Sequence, residues 1–392
     1  MMQLWSPDHI RFMEDAAAYG NFHTQLLHHI LPLLPAEGRI CDAGCGLGHL
    51  ALALAPYCRE ITACDIAESP LAVLRNKAPD HLTVLHGDIR SNVPNLPYDG
   101  MVFSFFGDPE MILSVAQRQC IGPVIVIQRA SYRHRFASAG VPEHRKFDRE
   151  LVDLLREKEM DYQTFSLSLE FGQPFRSRKD ALLFFSLYSQ GKPLSDQEIF
   201  SRLQPIDNHS EFSFYLPQLR ELTLTVFHVP PKKHLFLTGE KGVGKTTLLR
   251  KLLQDREEVG GFLTVRKMEN HGRAVYMLRP HQTVYGEDDL LFTCGGPVDS
   301  QRFDELGCRC LRESEGSSVM LMDELGPKER DAFAFQAAVL KALDNDTPVY
   351  GVVQEGAEST FLQQVRQHPE VQLIKVTKEN RDDLLHILKK HW

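Results

Sequence analysis

The chain has 392 residues, with 44 Lys and Arg against 52 Asp and Glu, a formal charge of −8 and a pI near 6.1. At roughly 150 residues per domain this length gives two or three domains, each able to bury a core of its own. An apolar share of 43% with no unbroken apolar run near the ~18 residues of a membrane helix excludes a span and describes an ordinary globular protein. The N-terminus, MMQLWSPDHIRFMEDAAAYG, has neither a basic start nor an apolar stretch, so a cytoplasmic location without membrane attachment is expected. The acidic balance argues against a broad nucleic-acid surface. The eight cysteines lack paired zinc spacings and are read as buried or half-buried thiols.

Taken in chain order, a helical pattern over 8–34 leads into short apolar strands alternating with helices: RICDAG, EITACD, LTVLHGD, YDGMVFSFF and GPVIVIQ. This alternation predicts βαβ units and a mainly parallel sheet. Residues 173–212 form a candidate cap insertion, and FSFYLP and LTLTVFHV follow as paired strands. Val229-Pro230-Pro231-Lys232-Lys233 then interrupts, because a proline pair continues neither a strand nor its ladder. The expected domains are 1–229 and 234–392, with 230–233 as linker. Beyond the linker come a strand, a glycine loop, a helix, a hairpin with its turn at Asn270-His271-Gly272, and the strands SSVMLMD, TPVYGVVQ and VQLIKVT.

In the first half, Asp42-Ala43-Gly44-Cys45-Gly46-Leu47-Gly48 lies between a strand and a helix, and Asp65 ends the next strand. Glycines let a backbone approach a ligand closely, and an acid on the second strand suits a ribose diol. A dinucleotide fold competes, but its G-x-G-x-x-G spacing seats a pyrophosphate, whereas these glycines alternate after an acid. CDAGCGLGHL, ACDIAES and HGDIRSN resemble, in that order, the motifs of class I S-adenosylmethionine-dependent methyltransferases. The resemblance covers about 10–230. It implies a cofactor lying over Gly44, Gly46 and Gly48, its ribose on Asp65, its adenine near Ile66, its exocyclic amine near Asp88 and its methionine end oriented by Asp42.

After the fourth strand, Phe105-Phe106-Gly107-Asp108-Pro109 departs from the Asn/Asp-Pro-Pro-aromatic pattern of base-amine methylation. Asp108 either accepts a proton or holds substrate at the strand end, or else caps the following helix with Pro109 in its first turn. Between Arg129 and Arg149 six basic residues face two acids, which reads as a grip for an anionic substrate or RNA phosphate, or as a solvated loop. Tyr19, Phe22 and His23 are candidates for the pocket wall, with core packing as the alternative.

In the second half, Gly239-Glu240-Lys241-Gly242-Val243-Gly244-Lys245-Thr246 follows a strand and opens a helix. In that setting backbone amides cradle phosphates, Lys245 reaches the β and γ oxygens, and Thr246, with Thr247 beside it, meets Mg²⁺. SSVMLMDELG places Asp323 to hold the metal through water and Glu324 to polarise the attacking water. GEKGVGKTTLLRKLL, VGGFLTV, FDELG, MDELGPKE and VTKENRDDLL together resemble the small nucleoside-triphosphatases found from archaea to animals. The resemblance implies slow, base-tolerant hydrolysis of ATP, GTP and other triphosphates. The acidic pair of that family's first hairpin strand is replaced here by Val265-Arg266. Arg273 and Arg279 either approach the phosphates or face solvent, and Thr377 to Arg381 are placed near the base.

The expected architecture is therefore α/β in two domains: a Rossmann-like class I methyltransferase sheet, then a P-loop sheet of ASCE type. The favoured reading is a bifunctional enzyme that transfers methyl from S-adenosylmethionine to a small anionic metabolite or cofactor and hydrolyses NTP to regulate that transfer. The alternatives are an RNA-modifying methyltransferase and a nucleotide-gated binding module without catalysis.

Overall fold

The computed structural model describes residues 5–130, 147–189, 193–207, 209–269, 272–296, 298–356 and 359–392. The chain divides into two units, Met1–Pro230 and Pro231–Trp392. In the first, the strands are β1 (Arg39–Ala43), β2 (Glu60–Asp65), β3 (Leu82–His86), β4 (Gly100–Ser104), β5 (Pro123–Arg129), β6 (Tyr162–Glu170), β7 (Gln173–Phe175), β8 (Gln204–Pro205), β9 (Phe214–Leu216) and β10 (Leu219–His228). Seven of them form one sheet in the order β3-β2-β1-β4-β5-β10-β6. β1 to β5 are parallel, and β10 enters antiparallel between β5 and β6. The central strands are near-continuous apolar runs because helices cover both faces, and Val124 to Ile127 are at most 1% exposed. The strand order reverses at β1, which opens a crevice at the carboxyl ends of β1 and β4.

The helical pattern over 8–34 is borne out as two helices, Pro7–Tyr19 and Phe22–Ile30, followed by a 3-10 turn at Leu31–Leu33. Gly20 is extended and ends the first, and Ser6 starts it by accepting the His9 N–H. Phe12 of that helix packs with Phe175, Phe184, Phe185 and Leu216 in a separate small core. This core belongs to the β7-β9-β8 sheet and the helices Arg178–Tyr188 and Asp196–Ser201. Ion pairs of Arg11 with Asp180 and of Arg176 with Asp15 fasten the inserted layer to the first helix.

The second unit contains β11 (His234–Thr238), β12 (Val259–Glu269), β13 (Gly272–Leu278), β14 (Leu290–Thr293), β15 (Val319–Leu325), β16 (Val349–Val353) and β17 (Val371–Lys375). Their order is β14-β13-β12-β15-β16-β11-β17, with β12, β15, β16, β11 and β17 parallel. One strand, β16, separates the strand that feeds the glycine loop from the strand that carries Asp323. β12 and β13 form the expected hairpin, though its turn residues Asn270 and His271 lie outside the described residues. All eight cysteines are free, and Cys294 is exposed, against the expectation that every thiol would be at least half-buried. Among the described residues no helix is long and apolar enough to cross a membrane.

Candidate active sites

In the first unit, the turn from β1 into the helix His49–Leu54 is built on left-handed glycines, Gly44 at φ 71°, Gly46 at 53° and Gly48 at 68°. A Cβ on Gly44 would stand 2.1 Å from the Phe106 ring, so bare backbone here lets the loop after β4 close onto the glycine turn. Asp65, at the end of β2, clasps the turn: its Oδ2 accepts the Gly46 N–H and its Oδ1 the Ala67 N–H, each at 2.8 Å. Each oxygen keeps a second lone pair.

Gly44, Asp65, Ile66, Asp88 and Asp108 line one cleft of about 290 Å³, together with Arg90. Gly46, Gly48 and Asp42 do not line it. Ile66 stands 70% exposed on the lip, an apolar surface without a protein cover. Asp88 accepts the Arg90 backbone N–H at 2.9 Å and its guanidinium at 2.6 Å, and these bonds hold its carboxyl below the usual range. Asp108 is the N-cap of the helix Pro109–Gln119, its Oδ1 accepting the Met111 N–H at 2.9 Å, with Pro109 in the first turn.

Asp42 is 1% exposed, and neither carboxyl oxygen has a hydrogen-bond partner. Burial pushes its pKa up to about 7, with the nearby Ala51 N–H opposing and the Asp65 charge adding. A buried carboxyl left in this condition costs free energy unless something compensates it.

Tyr19, Phe22 and His23 do not line the cleft. Tyr19 packs on Tyr215 with ring centroids 5.2 Å apart, and Phe22 is buried on Phe171 at 4.6 Å. Burial, with His49 and Arg220 nearby, pushes the His23 imidazole down to about 3. Of the basic segment, Arg133, Arg135, Arg145 and Lys146 lie outside the described residues. Arg90 was not legible as a cleft residue, since a lone arginine two positions after an acid carries no ligand signal by itself.

In the second unit, Gly239 (φ 130°), Gly242 (86°) and Gly244 (106°) shape the loop after β11. At Gly239 a Cβ would lie 2.2 Å from the Val376 carbonyl, so the VTKEN segment packs directly on the loop. Thr377 and Asn380 lock that segment through reciprocal bonds, and the Asn380 amide donates to the Lys375 carbonyl at 2.8 Å. Gly244 caps the helix Lys245–Leu253, whose first amides face the loop. Lys245 is buried across the loop, its ammonium donating to the Gly239 carbonyl at 2.7 Å and the Glu240 carbonyl at 2.9 Å. Thr246 donates its hydroxyl to Asp323 at 3.0 Å, while Thr247 is exposed in the same turn.

Asp323 is 2% exposed and burial pushes it up to about 6, the Thr246 hydroxyl opposing. Glu324 is half-buried and pairs with Arg266 at 3.4 Å. Glu329, buried four residues after the strand ends, accepts the Gly326 N–H at 2.9 Å and is raised to about 7 by burial. Neither the Arg266 contact nor the depth of Glu329 follows from spacing, because both depend on how separate segments cross. Arg279 does not approach the phosphate loop. It pairs with Glu313 at 3.1 Å and lines a cleft with Gly260 and Ser314 near the start of β12, the opposite end of the sheet. Arg273 lies beside the hairpin's closed end, opposite Met268.

Comparison with known proteins identifies a methyltransferase domain in the first unit and a P-loop nucleoside-triphosphatase domain in the second. The sequence model described as a methyltransferase domain matches 40–118, and that described as NTPase matches 234–388. Nucleoside-triphosphatase THEP1 of Thermofilum pendens is 33% identical over 165 residues, covering 38% of this chain and 90% of that protein. The human cancer-related nucleoside-triphosphatase is 30% identical over 179 residues, covering 39% and 93%. Among solved structures, THEP1 from Aquifex aeolicus superposes over 40% of this chain and 96% of its own, at 23% identity and TM-score 0.33. Precorrin-6y C5,15-methyltransferase from Geobacter metallireducens covers 52% of this chain and 85% of its own, at 12% identity and TM-score 0.32. Through residues 234–388 the chain belongs to the THEP1 nucleoside-triphosphatase family, fused here to a methyltransferase domain.

Proposed function

We propose that this bifunctional enzyme transfers a methyl group from S-adenosylmethionine to a small, anionic acceptor in the cytoplasm, and that its Mg²⁺-dependent NTP hydrolysis regulates that transfer. The observation that carries the reading is the clasp of Asp65 on the glycine turn, with orphaned Asp42 behind it. A nucleoside joined to an amino acid fits this arrangement: Asp65, with lone pairs left over, would hold the ribose hydroxyls, and Ile66 would cover the base. Asp42, buried at the end of β1, would orient the methionine end. Asp88 takes the exocyclic amine once Arg90 yields it. The cofactor supplies an electrophilic methyl on a sulfonium. Asp108 faces the acceptor from the cleft, and the Arg90 guanidinium supports an anionic one. In the second unit Thr246 and Asp323 would hold Mg²⁺, and the loop of Gly239, Gly242, Gly244, Lys245, Thr246 and Thr247 would hold the phosphates.

Replacing Asp65 by Ala should weaken S-adenosylmethionine binding by about 1 to 3 kcal/mol, roughly 5- to 150-fold. Calorimetry reads this directly, and amide-exchange protection of β1 and β4 in the same protein controls for folding of the first unit. Equal cofactor affinity in variant and wild type would sink the assignment.

Regulation makes a second demand. If nucleotide state biases the methyltransferase, the two affinities must shift each other by the same factor, typically about 5- to 150-fold. S-adenosylmethionine titrated into Glu324→Gln protein with and without Mg-ATP, then ATP with and without S-adenosylmethionine, should give matching shifts. Identical affinities throughout would leave two enzymes that share a chain without thermodynamic coupling.

A further inference from the structure

We propose that Arg266 contacts the γ-phosphate of bound NTP and is held in reserve on Glu324 until the triphosphate arrives. β12 lies beside β15 with Leu263 opposite Asp323, then runs on past it. Arg266 therefore sits three residues further along, at the sheet end where Thr246 meets Asp323. Its guanidinium reaches the site: one nitrogen stands 3.4 Å from Glu324 Oε2.

That contact is the kind a guanidinium exchanges. It is one nitrogen on one oxygen at long range, and the Arg266 side chain remains 43% exposed. Arg302 in the same unit shows the opposite state, its fork donating to the carbonyls of Glu287, Asp288 and Leu290. Arg279 is tied to Glu313 at the other end of the sheet, and Arg330 pairs with its neighbour Asp331. Phosphate offers the planar fork two oxygens and a larger charge than a single carboxylate, so a terminal phosphate set above Thr246 competes well for Arg266.

The exchange has a chemical consequence. While Arg266 sits on Glu324, its guanidinium occupies the side of the carboxylate that Oε2 would turn to a water. Once Arg266 moves to the γ-phosphate, it stabilises charge developing on the equatorial oxygens and leaves Glu324 Oε2 open to the attacking water. The water oxygen then bonds to the γ-phosphorus as the bond to the bridging oxygen breaks, its electron pair leaving on the nucleoside diphosphate. The water proton passes to Glu324 and from there to inorganic phosphate. A diphosphate cannot draw Arg266 away, so the site resets when phosphate leaves.

This inference rests on reading Glu324 as the base, and its test separates the two. In full-length Glu324→Gln protein, fluorescent ATP and ADP analogues report affinity without turnover. Adding Arg266→Ala should weaken the triphosphate about tenfold and leave the diphosphate within about twofold, with Arg266→Lys falling between. With Glu324 intact, Arg266→Ala should slow single-turnover hydrolysis at least about 100-fold. Equal weakening of both nucleotides, no change in either, or faster hydrolysis would each overturn the role of Arg266. Wild-type hydrolysis by Glu324→Gln alone would remove Glu324 as base, and the triphosphate-to-diphosphate ratio would still decide whether Arg266 reads the γ-phosphate.

Discussion

Glu324→Gln protein is expected to bind Mg-ATP at least as tightly as the wild type and to hydrolyse it at least about 100-fold more slowly, since positioned proton transfer contributes typically 10²- to 10⁴-fold. Gln retains the volume and a hydrogen-bonding end but cannot take a proton from water. It also loses the ion pair with Arg266, which is half-exposed and contributes little to folding. Lys245→Ala should fail earlier, at binding. That ammonium is buried and already bridges the Gly239 and Glu240 carbonyls, so its loss removes both the phosphate contact and the brace of an empty loop. Single-turnover rates alongside fluorescent-nucleotide titration separate the two defects. A Glu324→Gln protein that cleaves ATP at the wild-type rate would hand the base role to another residue, and Glu329, buried nearby with a raised pKa, would be examined first.

The second large effect is a pH dependence of stability centred on Asp42. Its folded pKa of about 7 lies above the unfolded value of about 3.9. Between those values the folded state holds a proton that the unfolded state has released, so stability falls as pH rises from about 4 to about 7. Below that window Asp42 contributes nothing, and above it the penalty is complete, at most about 4 kcal/mol. Asp42→Asn should be flat across the window. Amide exchange of peptides covering β1, measured on cofactor-free protein at pH 5 and pH 8, isolates the effect. The wild type should lose protection relative to the variant at pH 8 and match it more closely at pH 5. An unchanged difference would mean that Asp42 stays ionised in a cavity wetter than its burial implies.

What the sequence determined by itself is local. Gly44, Gly46 and Gly48 after an acid, and Gly239 to Thr246 before a helix, are legible because left-handed backbone and unpaired helix amides admit few residue types at fixed spacing. The Pro230-Pro231 pair marks the change of unit for the same local reason. Apolar runs such as Val124 to Ile127 announce strands buried on both faces. The helical pattern over 8–34 was legible, but the break at extended Gly20 was not, because periodicity does not register one residue. Tertiary structure decided whatever depends on two distant segments meeting. It put β10 antiparallel between β5 and β6, closed Phe106 over Gly44, and left Asp42 without a partner. It also took Arg279 to the wrong end of the sheet for phosphate, and brought Arg266 onto Glu324 across 58 residues of chain. Turn geometry is set by a few neighbouring residues, whereas strand order and side-chain pairing are set by the whole packed sheet, and so charges that look alike in the sequence acquire different partners.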